Sequence, residues 1–144
     1  PGQQFPGLGM LKDVLGWVVM LCEILGLDGV FYSPSSYHVA AQSRNLVRFL
    51  HPEHEARFRA LKAAMPGLSL AEASQGIEQG RMRDPATGAT VRWEGEPMVL
   101  PVSSRLKERV FSESYEAAVT AALEHLEFRL APAGGSGPDP TAGS

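Results

Sequence analysis

The sequence predicts an α+β domain of about five helices with a small, mainly antiparallel sheet of three or four strands and flexible termini. Several segments repeat apolar residues at helical spacing, and β-favouring runs surround a turn-rich segment in the second half. The hydrophobic fraction of 44% in 144 residues suffices for one core. We therefore expect a single globular domain over residues 10–130, a flexible arm or linker over 1–9, and a disordered tail or linker over 131–144.

The first helix is predicted over Met10–Leu25 and ends at the glycine-containing segment 26–29. Its apolar residues lie on nearly every side, and its charged residues are Lys12, Asp13 and Glu23. Such a helix must be covered almost all round. Either the helix is buried within the domain, between the sheet and the last helix, or a partner protein covers it.

A short strand is predicted over Val30–Tyr32, and a second helix over Tyr37–Leu50 after the capping residues of segment 33–36. Proline disfavours helical backbone in the residue before it but fits the first turn of a helix. Pro52 therefore ends the second helix and opens a third, which is expected to run to about Met65.

The spacing of Ser69 and Glu72 is that of a capping box, which predicts a short fourth helix ending by Gly80. The segment Arg81–Trp93 reads as a β-hairpin with its turn at Asp84–Gly88. This hairpin is the clearest β signal in the chain.

A third strand is predicted over Met98–Val102, where Pro101 favours a sheet edge or a strand end. A short helical stretch to Phe111 follows. The last helix is predicted over Glu113–Leu130 from its apolar spacing.

Charge and cysteine content narrow the function classes. The 13 basic and 16 acidic residues give a net charge of -3, which argues against nucleic-acid binding.

The single cysteine, Cys22, excludes an intramolecular disulfide and favours an intracellular, cytoplasmic location. The apolar run 14–22 is too short to span a membrane. The sequence opens on Pro1 and not on Met, which indicates either processing or a fragment of a longer protein. We expect a fragment, and the predicted parent is a larger regulatory protein.

Two polar clusters are candidate ligand sites. One comprises His38, His51, His54 and Glu55, which could hold a small molecule or a metal ion. Its spacing lacks the H-E-x-x-H pattern, and acidic residues are common at helix starts for structural reasons. No cofactor is therefore predicted.

The second cluster comprises Arg81, Arg83 and Arg92, which could bind an anion beside Trp93. The alternative is a solvated strand face whose charge is offset by Glu94 and Glu96, and we favour that alternative.

The sequence offers little support for catalysis. Ser33, Ser35 and Ser36 lie near His38, but no nucleophile elbow is present, so we expect a protein that is not an enzyme. The predicted function is a protein–protein interaction or oligomerisation module that uses the first helix. The predicted partner-binding residues are Trp17, Met20, Leu21 and Ile24. The alternative is a small-molecule- or metal-binding sensory domain with histidine ligands.

Overall fold

The computed structural model describes residues 8–44 and 46–132. The predicted arm and tail therefore lie almost wholly outside the described residues. The elements, in chain order, are α1 (Leu8–Leu25), β1 (Gly29–Tyr32), α2 (Tyr37–Gln42), β2 (Arg48–Phe49), α3 (Pro52–Ala63), α4 (Leu70–Glu78), β3 (Met82–Arg83), β4 (Met98–Pro101), α5 (Ser104–Val110), α6 (Glu113–Leu123) and β5 (Arg129–Leu130).

The predicted α+β class with a small antiparallel sheet is confirmed. Three strands form one sheet in the order β1-β4-β2, and β3 pairs with β5 in a second, two-stranded sheet. Both pairings in the larger sheet are antiparallel. None of the described helices combines the length and the hydropathy that crossing a membrane requires.

Strand β4 lies at the centre of the larger sheet and is buried along its whole length. Because alternate side chains of a strand point to opposite faces, Met98 and Leu100 contribute to one hydrophobic cluster and Val99 to another. Pro101 is the last residue of β4 and lies opposite Gly29. The prediction that this proline marks a strand end is confirmed, although the strand itself is central.

Helices cover the two faces of this sheet. On the first face, the larger cluster joins α1, α2, α3 and α4 through buried side chains that include Leu15, Tyr37, Phe58, Leu61 and Ile77. On the second face, the smaller cluster is formed with residues of α3, α5 and α6, namely Ala56, Val110, Tyr115 and Val119. Helices thus pack on both clusters of the sheet, and α3 contributes to each of them.

The prediction of one helix over residues 37–50 is wrong. Helix α2 ends at Gln42, and the hydroxyl of Ser43 lies 3.2 Å from the carbonyl oxygen of Ala40, a local bond that competes with helix continuation. Further along, Arg48 and Phe49 form β2 against β4. Pairing with a distant strand overrides the helical spacing of this segment.

The predicted turn of the hairpin is confirmed, but its second strand is not. The amide of Asp84 donates to the carbonyl oxygen of Ala89 at 3.0 Å, and Gly88 adopts a φ of +75°, which glycine accepts without a steric penalty. The second arm contributes an isolated bridge between Arg83 and Thr90 and a hydrogen bond of 2.9 Å from the Val91 amide to the carbonyl oxygen of Met82, but no strand.

Strand β3 pairs instead with β5, in a segment that was predicted to be helical. Helix α6 ends at Leu123, so the expected helix to Leu130 is wrong. Leu126, Phe128 and Leu130 all pack against the two clusters. These apolar residues occur at every second position, which is typical of an extended chain. The same segment also has apolar residues at helical spacing, and the two patterns favour different structures.

Candidate functional site

One face of α1 carries large apolar side chains that the described part of the chain leaves exposed. The opposite face packs into the domain through Leu15 and Cys22, which are buried, and through Val18 and Val19. At about 100° per residue, the exposed apolar residues occupy an arc about 140° wide. They are Val14, Trp17, Met20, Leu21, Ile24 and Leu25.

The four predicted partner-binding residues all lie on this arc, which we call the α1 face. Trp17 is 66% exposed and Ile24 is 72% exposed. Together the six side chains expose on the order of 700 Å², more than the roughly 300–600 Å² of the largest apolar patch on a typical monomer. The expected alternative, burial of α1 between the sheet and the last helix, is not observed, because α6 packs against α3.

The α1 face is also nearly free of charge. By the same helical geometry, Lys12 and Glu23 lie on the stripe that separates the exposed face from the buried one, and Asp13 is the one charged residue of α1 whose direction falls within the arc, between Met20 and Ile24. A surface of this kind can form apolar contacts without burying ion pairs.

Sequence reasoning missed a second exposed apolar residue group beside α1. Leu27 follows the helix, and Phe31 on β1 is 61% exposed. Strand β1 lies at the edge of the sheet, so Phe31 has no neighbouring strand on its outer side among the described residues. A four-residue strand is too short for alternation alone to reveal which of its side chains is exposed.

The structure places the predicted ligand histidines in two locations. On α2, the Nδ1 atom of His38 lies 2.9 Å from the Ser36 hydroxyl and 3.3 Å from the Ser74 hydroxyl. Burial lowers the pKa of His38, against the opposing charge of Glu78. The rings of His51 and His54, at the start of α3, lie 5.4 Å apart.

Metal ligation requires several of these side chains to converge, and the geometry does not provide that. No group of three or more His, Cys, Asp or Glu side chains suited to a metal ion occurs within the described residues. The Nε2 atom of His54 instead lies 3.5 Å from a carboxylate oxygen of Glu96. A metal ion at these histidines was the alternative to the prediction of no cofactor, and it stays untested.

Glu55, the fourth candidate ligand, is completely buried and lies among arginines. Both carboxylate oxygens accept hydrogen bonds from Arg44, and one accepts a bond of 2.9 Å from Arg59. Arg48 approaches the same carboxylate at 3.4 Å. Burial raises the pKa of Glu55, but the hydrogen bonds and charges of Arg44 and Arg59 outweigh it, and the net effect is a lowered pKa.

This ion-pair cluster ties three parts of the fold together. Arg59 extends it by forming two hydrogen bonds of 3.0 Å with Glu116 on α6, which raise the pKa of Arg59. On the same side, the Tyr115 hydroxyl donates to the carbonyl oxygen of Phe49. These contacts join the α2–β2 segment, α3 and α6, so the role of Glu55 supported by the geometry is structural.

The three predicted anion-binding arginines are not equivalent. Arg81 donates to the carbonyl oxygen of Ala131 at 2.9 Å and to Gln79 at 3.1 Å. Arg83 and Arg92 line an open groove of about 570 Å³, together with Trp93. Within the described residues, neither of these two arginines belongs to an ion pair.

The acidic residues expected to offset the hairpin arginines contact other groups. Glu94 lies 3.8 Å from Arg57, and Glu96 faces His54. Glu78 lines the groove, however, and its negative charge weakens the attraction of this groove for an anion. Anion binding here was the less favoured of the two interpretations, and it stays untested.

Comparisons with known proteins give no relative on which to base a function. Neither a protein-family model, nor a curated protein, nor a solved structure matches the chain. Among the described residues the α1 face is the strongest candidate site, because its exposed apolar area exceeds that of the largest apolar patch on a typical monomer.

Proposed function

We propose that this domain is a self-association module whose α1 face binds the α1 face of a second copy of the chain. The observation that carries the proposal is the apolar arc on α1, which exposes on the order of 700 Å². A protomer in a standard protein–protein interface contributes about 800 Å². The exposed area therefore matches what one copy would need to contribute to a stable dimer.

The rest of this sequence offers little that could cover the α1 face instead. The undescribed segments 1–7 and 133–144 contain one large apolar residue, Phe5. One side chain cannot bury an arc that spans several helical turns. A second copy of the chain supplies a surface of matching size and polarity.

The spacing of the exposed residues suits packing between helices. Val14, Trp17, Leu21 and Ile24 are separated by three, four and three residues, which is the spacing of the contact seam between two paired helices. Trp17 and Ile24 are the most exposed members of this seam. Large aromatic side chains such as that of Trp17 often supply much of the binding free energy of an interface.

Light scattering across a range of protein concentrations tests the proposal. We expect a dimer that dissociates on dilution, and Trp17→Ala should raise its dissociation constant by about 10- to 100-fold, the effect of losing about 1.4–2.8 kcal/mol. Leu68→Ala is the matched control because Leu68 is also an exposed apolar residue, in the loop after α3.

Two results would overturn the proposal. One is a wild-type protein that remains monomeric at every concentration. The other is a Trp17→Ala variant that retains its circular dichroism spectrum and dimerises as well as the control.

A further inference from the structure

Among the described residues, strand β1 has no strand paired on its outer side, and α1 contacts this strand. The carbonyl oxygen of Asp28 accepts a hydrogen bond of 2.8 Å from the amide of Val102. Hydrogen-bonded pairs alternate along an antiparallel ladder. Given the register of β1 with β4, the backbone groups of Val30 and Tyr32 therefore point to β4, and those of Gly29 and Phe31 point away from it.

Apart from its short length of four residues, the described β1 edge lacks the features that commonly protect a sheet from pairing with another chain. Edge strands are commonly blunted by charged residues, by proline or by bulges. The four residues of β1, Gly29–Tyr32, include no charged residue and no proline, and their register with β4 is continuous. The neighbouring charge of Asp28 is paired with Arg105 at 2.8 Å.

Apolar side chains flank this edge on both faces of the sheet. Phe31 lies opposite Val99, so it shares the face of the smaller cluster. Helix α1 packs on the other face, where Tyr32 and Leu100 belong to the larger cluster. A chain that added to the edge of β1 would therefore meet the exposed Phe31 ring on one face of the sheet, while α1 lies on the other face.

From this arrangement we infer that the second copy also adds its β1 antiparallel to β1, producing one continuous six-stranded sheet across the dimer. The two α1 faces meet on one side of this sheet, and the two Phe31 rings pack on the other. Reciprocal pairing of Gly29 with Phe31 of the second copy satisfies the outward backbone groups. A two-fold axis makes each half of such an interface identical. The inference rests on the proposed self-association and specifies its geometry.

Amide hydrogen exchange of the wild-type dimer tests this geometry directly. We compare it with the variant Ile24→Lys, which places a charge on the α1 face and should be monomeric. The Phe31 amide should exchange at least about tenfold more slowly in the dimer than in the monomer, because only the dimer hydrogen-bonds it. The Val30 amide is an internal control, since it faces β4 and should be protected equally in both.

The variant Phe31→Pro provides an independent test by light scattering. Proline removes an outward N–H that takes no part in the β1–β4 ladder, and proline is tolerated at such edge positions. We expect its dissociation constant to exceed the wild-type value by about tenfold or more. If this variant does not fold, the exchange measurement decides.

The outcomes separate the geometry from the proposed function. A wild-type dimer whose Phe31 amide exchanges as fast as in the monomer overturns the continuous sheet and leaves self-association through α1 intact. A folded Phe31→Pro variant with unchanged dimerisation does the same. A wild-type chain that is monomeric at every concentration overturns both.

Discussion

The buried carboxylate of Glu55 and the guanidinium group of Arg44 form a bidentate ion pair that joins α3 to the segment after α2. Glu55 has no exposed surface, whereas 21% of the Arg44 side chain is exposed. Removing one member of a buried ion pair leaves the other charge buried without its partner, and this loss strongly destabilises the fold. Replacing the whole pair by apolar residues changes the free energy of unfolding far less.

Glu55→Gln should therefore destabilise the domain. We expect a loss of about 3 kcal/mol in the free energy of unfolding, at the low end for a broken buried pair because the arginines retain some contact with water. Urea denaturation measures this loss. Glu53→Gln, an exposed change in the same first turn of α3, should shift stability by less than about 0.5 kcal/mol. Equal effects of the two variants would contradict a structural role for Glu55.

The same cluster predicts how stability depends on pH. Arg44 and Arg59 lower the pKa of Glu55 against the effect of burial, and Arg59 lowers that of Glu116; the ordinary value for both groups is 4.5. A carboxylate with a lowered folded-state pKa stabilises the protein above its unfolded pKa, and this contribution is lost as pH falls through the folded value. The free energy of unfolding should thus decrease below pH 4.5.

Urea titrations between about pH 6 and about pH 3 check this dependence. The decrease should be shallower in Glu55→Gln, which lacks one of the two carboxylates. An identical pH slope in wild type and variant would show that Glu55 does not contribute to the dependence.

Salt should have little effect on self-association. Asp13 is the single charged residue of the α1 face, so dimerisation depends on apolar contact and not on attraction between opposite charges. Raising sodium chloride from about 0.05 M to about 0.5 M screens interactions between charges more strongly. It should nevertheless change the dissociation constant less than about threefold. Analytical ultracentrifugation measures the constant, and a tenfold weakening would indicate an ionic interface instead.

Two glycines should respond oppositely to alanine. A Cβ atom on Gly29 would collide with the carbonyl oxygen of Leu100 and lie 2.9 Å from Leu106, so Gly29→Ala should cost about 1–3 kcal/mol. A Cβ on Gly16, within α1, meets nothing within 4 Å. Gly16→Ala should therefore stabilise the domain by about 0.5–1 kcal/mol, since alanine favours the helix.

Thermal denaturation of both variants at one protein concentration tests this pair. The shifts in Tm should have opposite signs. A neutral Gly29→Ala would show that β1 can move away from β4 at little cost.

Local signals predicted the fold well. Ser69 and Glu72 form the capping box that their spacing indicated, with hydrogen bonds of 2.9 Å and 3.1 Å. The helix opened by Pro52 also begins where predicted. Each of these features depends on residues within one helical turn, so the sequence contains all the information required.

Features that depend on distant residues were not predictable in the same way. Arg48 and Phe49 join β2 because β4 lies beside them, and nothing within the segment itself indicates that strand. Glu55 was expected at a helix start, which is correct, but its arginine partners meet it only in the folded chain. The α1 face was anticipated from the apolar residues of the helix; which side of it stays exposed depends on the packing of the other helices.

The pairing of β1 with β4 has a consequence for synthesis of the chain. Gly29 precedes its partner Pro101 by about 70 residues, which a ribosome adds in roughly 4–14 s at 5–20 residues per second. During that interval a nascent α1 and β1 lack the strand on which they pack, so the N-terminal third emerges with its apolar surface unprotected. Holding by a chaperone until residue 101 has left the exit tunnel would prevent premature association between neighbouring nascent chains.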